Sequence, residues 1–186
     1  MSGAQETLAR LTALCFGTLS TRIALLYAAL FALVLGLSAC GGGKFRTYRG
    51  PEVTSIQVHK ADRKMYLLHN SKVLKEYDIS LGFQPVGHKQ FEGDGKTPEG
   101  VYFISHHNPR SRYHLSVGVS YPNEADRAFA STMGKSPGGD IMIHGRSRYK
   151  GQNKGDWTAG CIAVRDREME EIYSMLRRQT PILILP

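Results

Sequence analysis

A single uncharged stretch near the amino terminus limits which part of this chain can form a globular domain. It runs from Ile23 to Leu37, fifteen residues that directly follow Arg22. A helix of that length spans roughly 22 Å, whereas the hydrocarbon core of a membrane is about 30 Å thick. The length is typical of the apolar region of a secretory signal peptide rather than of a permanent membrane span. We therefore expect an exported protein whose folded domain lies entirely after this stretch.

The residues that follow the apolar stretch resemble a bacterial lipobox. They read Leu37-Ser38-Ala39-Cys40, and in a lipobox the small residues let a peptidase reach the bond before a cysteine that has been diacylated. The resemblance implies a signal peptide over residues 1–39 and a lipidated Cys40 on the periplasmic face of a bacterial membrane. Gly41 favours the outer membrane of a cell that has two. The alternative is an uncleaved helical anchor that ends at a cysteine.

A Gly-rich, basic segment separates Cys40 from the rest of the chain. Residues 41–52 contain turn formers and show no hydrophobic periodicity, which predicts a flexible linker. Twelve extended residues reach at most about 40 Å. We therefore expect residues 40–52 to form a lipidated amino terminus and linker that hold the domain close to its membrane.

Short apolar segments with polar turns between them predict a mainly β domain over residues 53–186. The predicted strands are 53–60, 65–68, 73–81, 101–105, 115–121, 141–144 and 181–186. Two short helices are expected, at 123–130 and 166–178, the second with Asp166 as its N-cap.

Three cysteines, Cys15, Cys40 and Cys161, lie too far apart for a paired-cysteine metal motif, and their odd number gives no disulfide framework. Cys15 is lost with the signal peptide and Cys40 carries the lipid. Cys161 would then be the last thiol in a compartment where thiols tend to be oxidised. The formal charge of +8 indicates an anionic partner, and export disfavours a nucleic acid.

Cys161 has the surroundings of a nucleophile. Ala159 and Gly160 before it are small and would let a substrate approach closely. A thiol with a pKa near 8.5 is mostly protonated at neutral pH, so a nucleophilic cysteine needs a base beside it. His144 suits that role, because it ends the apolar run 141–143 and precedes Gly145, at a predicted strand end seventeen residues before Cys161.

These residues resemble the signature of the L,D-transpeptidase catalytic domain family. The match consists of Ile143-His144-Gly145 and Thr158-Ala159-Gly160-Cys161-Ile162, supported by the segments 93–100 and 137–140. The resemblance implies a β-sandwich-like domain that acts on peptidoglycan stem peptides. The thiolate would attack the carbonyl of the L-residue in an L-to-D bond, expel D-alanine and pass the acyl group to an amine.

The resemblance also implies roles for individual residues. Cys161 would be the nucleophile and His144 the general base and later acid. The carbonyl of Gly145 would orient the imidazole, and the backbone N–H groups of Gly160 and Cys161 would be candidates to bind the oxyanion. Thr158 would support that turn.

Substrate binding rests on weaker signals. Many members of the family carry an arginine two residues after the cysteine, where this chain has Ala163. We expect Arg165 to take its place. Between His144 and Cys161 in the sequence, four basic residues are expected to attract stem-peptide carboxylates: Arg146, Arg148, Lys150 and Lys154. Trp157, Tyr149 and Tyr121 would line the groove.

Three functions remain open at this stage. The first is an L,D-transpeptidase that forms diaminopimelate crosslinks or attaches an acceptor lipoprotein or outer-membrane protein. The second is an amidase of the same superfamily, which uses water to release proteins from peptidoglycan. The third is an inactive peptidoglycan-binding lipoprotein. None of them calls for a metal or a cofactor.

Overall fold

The computed structural model describes residues 43–146 and 155–186, together with the helical positions Ala24 and Tyr27. The chain divides into two compact units, Met1–Gly43 and Lys44–Pro186. Cys40 and all of the predicted signal peptide except those two positions lie outside the described residues. Within the described part of the chain, no helix is both long enough and apolar enough to cross a membrane.

The second unit is a mainly β domain with two short helices, which confirms the predicted fold class. Its strands are β1 (Ser55–His59), β2 (Lys64–His69), β3 (Lys72–Asp78), β4 (Gly100–Asn108), β5 (Ser116–Val119), β6 (Met142–His144), β7 (Ile162–Ala163) and β8 (Pro181–Leu185). Its helices are α1 (Glu124–Thr132) and α2 (Asp166–Met175).

The strands form one curled sheet in the order β3-β2-β1-β8-β4-β5-β6-β7. Most neighbours are antiparallel, but β1 pairs with β8 and β6 with β7 in parallel. The residues after β3 join the two ends of the sheet. Ile79 donates a backbone hydrogen bond to Arg63 at 2.9 Å, and Ser80 exchanges two with Ala163 of β7, at 2.8 and 2.9 Å.

The curled sheet encloses the hydrophobic core. Alternate strand residues point inward, as the twofold period of a strand dictates. Fully buried members are Ile56, Val58, Met65, Leu67, Ile104, Val117, Ile143, Ile162 and Ile182. Met169 and Ile172 of α2 are equally buried. Because β8 lies between β1 and β4, the carboxyl-terminal strand is central to the sheet.

Helix α1 begins where a short polar residue satisfies its first N–H groups. Asn123 caps α1, and its side chain accepts from Asp126 while Asp126 bonds back to the Asn123 N–H. Arg165, not Asp166 as predicted, occupies the cap position of α2. The Asp166 carboxylate instead accepts the backbone N–H of Arg146 at 2.8 Å, so it holds a neighbouring loop rather than its own helix.

Residues 44–52 belong to the second unit, although they contain no regular secondary structure. Arg46 pairs with Glu170 of α2 at 2.8 Å. Phe45 lies 6.1 Å from the ring of Tyr173, and Tyr48 packs against the core. The described part of the predicted linker is therefore attached to the domain from Lys44 onward.

Candidate active site

The parallel pair β6 and β7 brings His144 and Cys161 to one face of the sheet. Ile143 lies opposite Ile162, and His144 lies opposite Ala163. Both isoleucines are fully buried, so they fix the inward face of the pair. Cys161, one residue before β7, shares the other face with His144 and lies diagonally across from it, at a Cα separation of about 7–8 Å by strand geometry.

Glycine before the nucleophile allows a second loop to approach. Gly160 has φ 134°, and a Cβ added there would lie 2.6 Å from the carbonyl oxygen of Lys96. A Cβ added at Gly82 would likewise collide with backbone atoms of Gly95 and Gly160. The segment 93–100, which sequence analysis linked to the site, therefore packs against the turn that carries Cys161.

Thr158 organises that turn through two hydrogen bonds. Its hydroxyl donates to the carbonyl oxygen of Cys161 at 2.7 Å and accepts the backbone N–H of Gly160 at 3.1 Å. This supports the predicted role of Thr158. The N–H of Gly160 is engaged by this bond, which leaves the backbone N–H of Cys161 as the candidate oxyanion donor.

His144 is held in one tautomer. Its Nδ1 lies 2.6 Å from the carbonyl oxygen of Gly145, and since a carbonyl only accepts, Nδ1 carries the proton. Nε2 is then the ring nitrogen with a lone pair. Gly145 thus occupies the geometry predicted for it.

Two aromatic rings enclose the His144 imidazole. Tyr113 stacks on it at 4.4 Å between ring centroids, and Trp157 meets it edge-on at 5.6 Å. Only 2% of His144 is exposed. Sequence analysis anticipated Trp157 at the groove but not Tyr113, because nothing in its local sequence marks it.

Burial keeps both members of the pair neutral. It lowers the pKa of His144, although the Gly145 carbonyl opposes this in part. It also raises the pKa of Cys161, against a hydrogen bond from the Met142 backbone. Both shifts favour a thiol and a neutral imidazole over a thiolate and an imidazolium.

The thiol of Cys161 donates to the carbonyl oxygen of Asp140 at 3.5 Å. Asp140 has φ 54°. The S–H group has to turn from this carbonyl toward His144 before it can transfer its proton, and such catalytic contacts often tighten only when substrate binds.

A cavity of about 130 Å³ lies beside Trp157. Its lining comprises Asp78, Ile79, Ser80, Arg146, Trp157, Ala163, Val164 and Arg165. Asp78 pairs with Lys64 at 2.8 Å and Arg165 with Glu168 at 3.5 Å, so the lining combines two arginines with one carboxylate. The structure thus brings Arg146, Arg165 and Trp157 to one cavity, and their part in substrate binding stays a prediction.

Tyr121 differs from its predicted place at the edge of the groove. Only 5% of it is exposed, and its hydroxyl donates to the Pro137 carbonyl at 2.9 Å. Its ring packs 5.9 Å from that of Tyr102. Tyr121 is a core residue whose hydroxyl holds the irregular segment that precedes Asp140 and β6. The positions Arg148, Tyr149, Lys150 and Lys154 lie outside the described residues.

Comparisons with known proteins agree with this geometry. The family model for the L,D-transpeptidase catalytic domain (YkuD) matches residues 54–184. A protein of Escherichia coli K12 named "Putative L,D-transpeptidase YafK" is 29% identical over 155 residues, which cover 78% of this chain and 57% of that protein.

Solved structures share the fold. The helical cell shape determining protein Pgp2 of Campylobacter jejuni is 27% identical, with a TM-score of 0.56 over 80% of this chain and 53% of that one. Bd1075 of Bdellovibrio bacteriovorus is 27% identical, with a TM-score of 0.50 over 72% and 48% of the two chains. The chain spans about half the length of the relatives it matches.

Proposed function

The chain belongs to the L,D-transpeptidase catalytic domain family, and we propose that it is a cysteine acyltransferase acting on peptidoglycan stem peptides. The observation that carries this proposal is the tautomer of His144. With Nδ1 bound to the Gly145 carbonyl at 2.6 Å, Nε2 is free to accept a proton on the sheet face that also carries Cys161. The similarity to a cell shape determining protein supports a role in the cell wall.

The first half-reaction forms a thioester. Nε2 of His144 takes the thiol proton as Sγ of Cys161 attacks the carbonyl carbon of the L-residue in the L-to-D bond. The backbone N–H of Cys161 stabilises the oxyanion, a contribution of about 3 kcal/mol for one such donor. The C–N bond then breaks, and His144 returns the proton to the nitrogen of the departing D-alanine.

The second half-reaction transfers the acyl group. An acceptor amine loses a proton to Nε2 of His144 and attacks the thioester carbonyl. The C–S bond breaks, and the proton on His144 returns to Sγ of Cys161. Water in place of the amine would give hydrolysis through the same groups, so the chemistry up to the thioester is common to the transferase and the amidase.

The cavity beside Trp157 suits a carboxylate of the stem peptide. Arg146 and Arg165 both line it, whereas Ala163 has no charge to offer. We expect Arg165→Gln and Arg146→Gln each to raise KM for a tetrapeptide donor about tenfold, with kcat nearly unchanged, since uniform binding is lost. Arg167→Gln is the matched control, because Arg167 is exposed on α2 and does not line that cavity.

Purified sacculi provide the test of function. They are incubated with the domain, digested, and their fragments identified by mass spectrometry. New diaminopimelate crosslinks or newly attached protein would support transfer. Released protein, or tripeptide stems without new crosslinks, would support hydrolysis in place of transfer. Sacculi unchanged relative to a Cys161→Ala control would contradict both and favour a binding protein.

A further inference from the structure

Four side chains outside the catalytic pair form a connected cluster, here named the clasp: Lys44, Arg46, His114 and Glu170. Lys44 Nζ donates to the carbonyl oxygens of Pro109 at 2.7 Å and His114 at 3.1 Å. Arg46 donates twice to Oε2 of Glu170, from Nη2 at 2.8 Å and from Nε at 3.0 Å. His114 Nε2 lies 2.9 Å from Oε1 of the same carboxylate. The clasp therefore ties the amino-terminal segment and α2 to the loop 109–114.

That loop makes direct contact with the candidate base. Tyr113 stacks on His144. The backbone N–H of Gly145 is shared between the carbonyl oxygens of Tyr113, at 3.0 Å, and Leu115, at 3.2 Å. Both carbonyls can converge on one N–H because His114 between them has φ 70°. Such a conformation costs a non-glycine residue roughly 1–2 kcal/mol, so the contacts of His114 with Lys44 and Glu170 stabilise a turn that would otherwise relax.

Glu170 is the centre of the clasp. Its side chain is 16% exposed. Burial alone would raise its pKa, but Arg46 and His114 hold the pKa below its usual value. The carboxylate therefore stays ionised and accepts charge-assisted hydrogen bonds, which are stronger than neutral ones.

Helix α2 reaches the site at two points one turn apart. Asp166 accepts the backbone N–H of Arg146, directly after His144 and Gly145. Glu170, four residues later on the same helical face, holds His114. One rigid element thus fixes both the end of β6 and the loop that stacks on His144.

We propose that Lys44 and Arg46 are positioning residues for His144, acting through the loop 109–114 and Tyr113. This inference rests on the proposed function, in which His144 is the base. It assigns a catalytic contribution to a segment that lies before the first strand and contacts no reacting atom.

The test compares the double variant Lys44→Gln/Arg46→Gln with Arg177→Gln. Arg177 forms an ion pair at 3.0 Å with Glu52, so it also attaches the amino-terminal segment, but away from the loop 109–114. Acylation of Cys161 by a carbapenem is followed by intact-mass spectrometry. Trp157, the one tryptophan of the chain, lies 5.8 Å from Tyr113, and its fluorescence reports the packing around His144.

We expect the double variant to be acylated about tenfold more slowly, the equivalent of 1.4 kcal/mol, with a red-shifted Trp157 emission. Arg177→Gln should match the wild type in both measurements. Restoring the cation with Lys44→Gln/Arg46→Lys should recover part of the rate, because a lysine ammonium can again pair with Glu170.

Wild-type rate and emission in the double variant would overturn the inference while leaving the proposed function intact. Equal losses in Arg177→Gln would also overturn it, because the effect would then be general. Equal acylation rates for the wild type and His144→Ala would contradict the proposed function itself. That result is distinguishable, since it does not depend on the clasp variants.

Discussion

Burial disfavours the charged forms of Cys161 and His144, because it raises the pKa of the thiol and lowers that of the imidazole. A neutral base beside a neutral thiol has to move a proton during attack, whereas a preformed thiolate would not. At the residue scale, the pH dependence and the dependence on His144 therefore test the chemistry most directly.

The rate at which a carbapenem acylates Cys161 should decrease on acidification only below pH 6.5. His144 acts as a base only in its neutral form, and burial lowers its pKa in the folded protein below the ordinary 6.5. The acid limb of the pH profile, where the rate falls because His144 is protonated, therefore lies below pH 6.5. A further rise is expected above pH 9, where the thiol, whose pKa is raised above 9.0, begins to ionise unaided. Rapid-quench mass spectrometry across pH 4–10 measures the profile, and an acid limb above 6.5 would contradict this.

Cys161→Ala should abolish acylation, and His144→Ala should slow it by about two to three decades, the usual scale for a lost general base. His106→Ala serves as the control, because His106 is exposed and, among the described residues, its side chain bonds the neighbouring Ser105. Covalent acyl-enzyme in the Cys161→Ala protein would show that another nucleophile is used.

Gly160→Ala should cost roughly 1–3 kcal/mol of stability and most of the acylation rate. Its φ of 134° and the Lys96 carbonyl 2.6 Å from an added Cβ both oppose a side chain. Gly139→Ala is the control, since nothing lies within 4 Å of a Cβ there. In urea unfolding, Gly160→Ala should have a lower midpoint than Gly139→Ala. Similar midpoints would mean that the turn at Gly160 can adjust to a side chain.

At the scale of elements, the loop 93–100 depends on one buried carboxylate. Asp94 accepts hydrogen bonds from the backbone N–H groups of Gln90, Phe91 and Lys96 and from Lys89. The side chains of Asp94 and Lys89 are each only 4% exposed. The loop therefore keeps its shape against the nucleophile turn because a charged pair is held inside it.

Asp94→Ala should destabilise the domain by about 3–5 kcal/mol, because Lys89 is left charged and buried without its partner. Asp62→Ala, at a side chain 69% exposed, should have little effect. Urea denaturation monitored by circular dichroism measures both, and equal unfolding free energies would contradict the role assigned to Asp94.

The same carboxylate contributes to acid sensitivity. Burial alone would raise the pKa of Asp94, but its backbone and Lys89 hydrogen bonds hold it below the ordinary 3.8. A folded pKa below the unfolded one stabilises the fold above pH 3.8, and this stabilisation is lost as the pH falls through the folded value. On acidification, the decrease in the free energy of unfolding should therefore be smaller for Asp94→Ala than for the wild type.

At the scale of the whole molecule, we propose that the domain is tethered to a membrane through Cys40, on the periplasmic side and in the outer membrane. Cys40→Ala should then shift the protein from the membrane to the soluble fraction and remove the mass of a diacylglyceryl group. Fractionation and intact-mass spectrometry measure this. Unchanged mass and fractionation would favour an uncleaved helical anchor.

Local sequence predicted the strands whose apolar residues alternate, and it missed β7. Residues 162–163 form a strand of only two residues, too short for a period to be recognised. The second helix was predicted to end at residue 178, but it ends at Met175 because Leu176 has an extended backbone conformation. The side chains that follow are compatible with a helix. Residue propensities along the chain therefore predicted neither the strand β7 nor the end of the second helix.

By itself the sequence determined the mainly β class, and it predicted Cys161 and His144 as candidate catalytic residues and an export signal before the domain. These follow from periodicity and from the chemistry of neighbouring residues, which are local properties. Only the tertiary structure showed the engaged N–H of Gly160, the buried place of Tyr121 and the stacking of Tyr113 on His144. Those facts depend on which distant segments meet when the sheet curls, and hydrogen bonds and burial at such contacts cannot be read from neighbours along the chain.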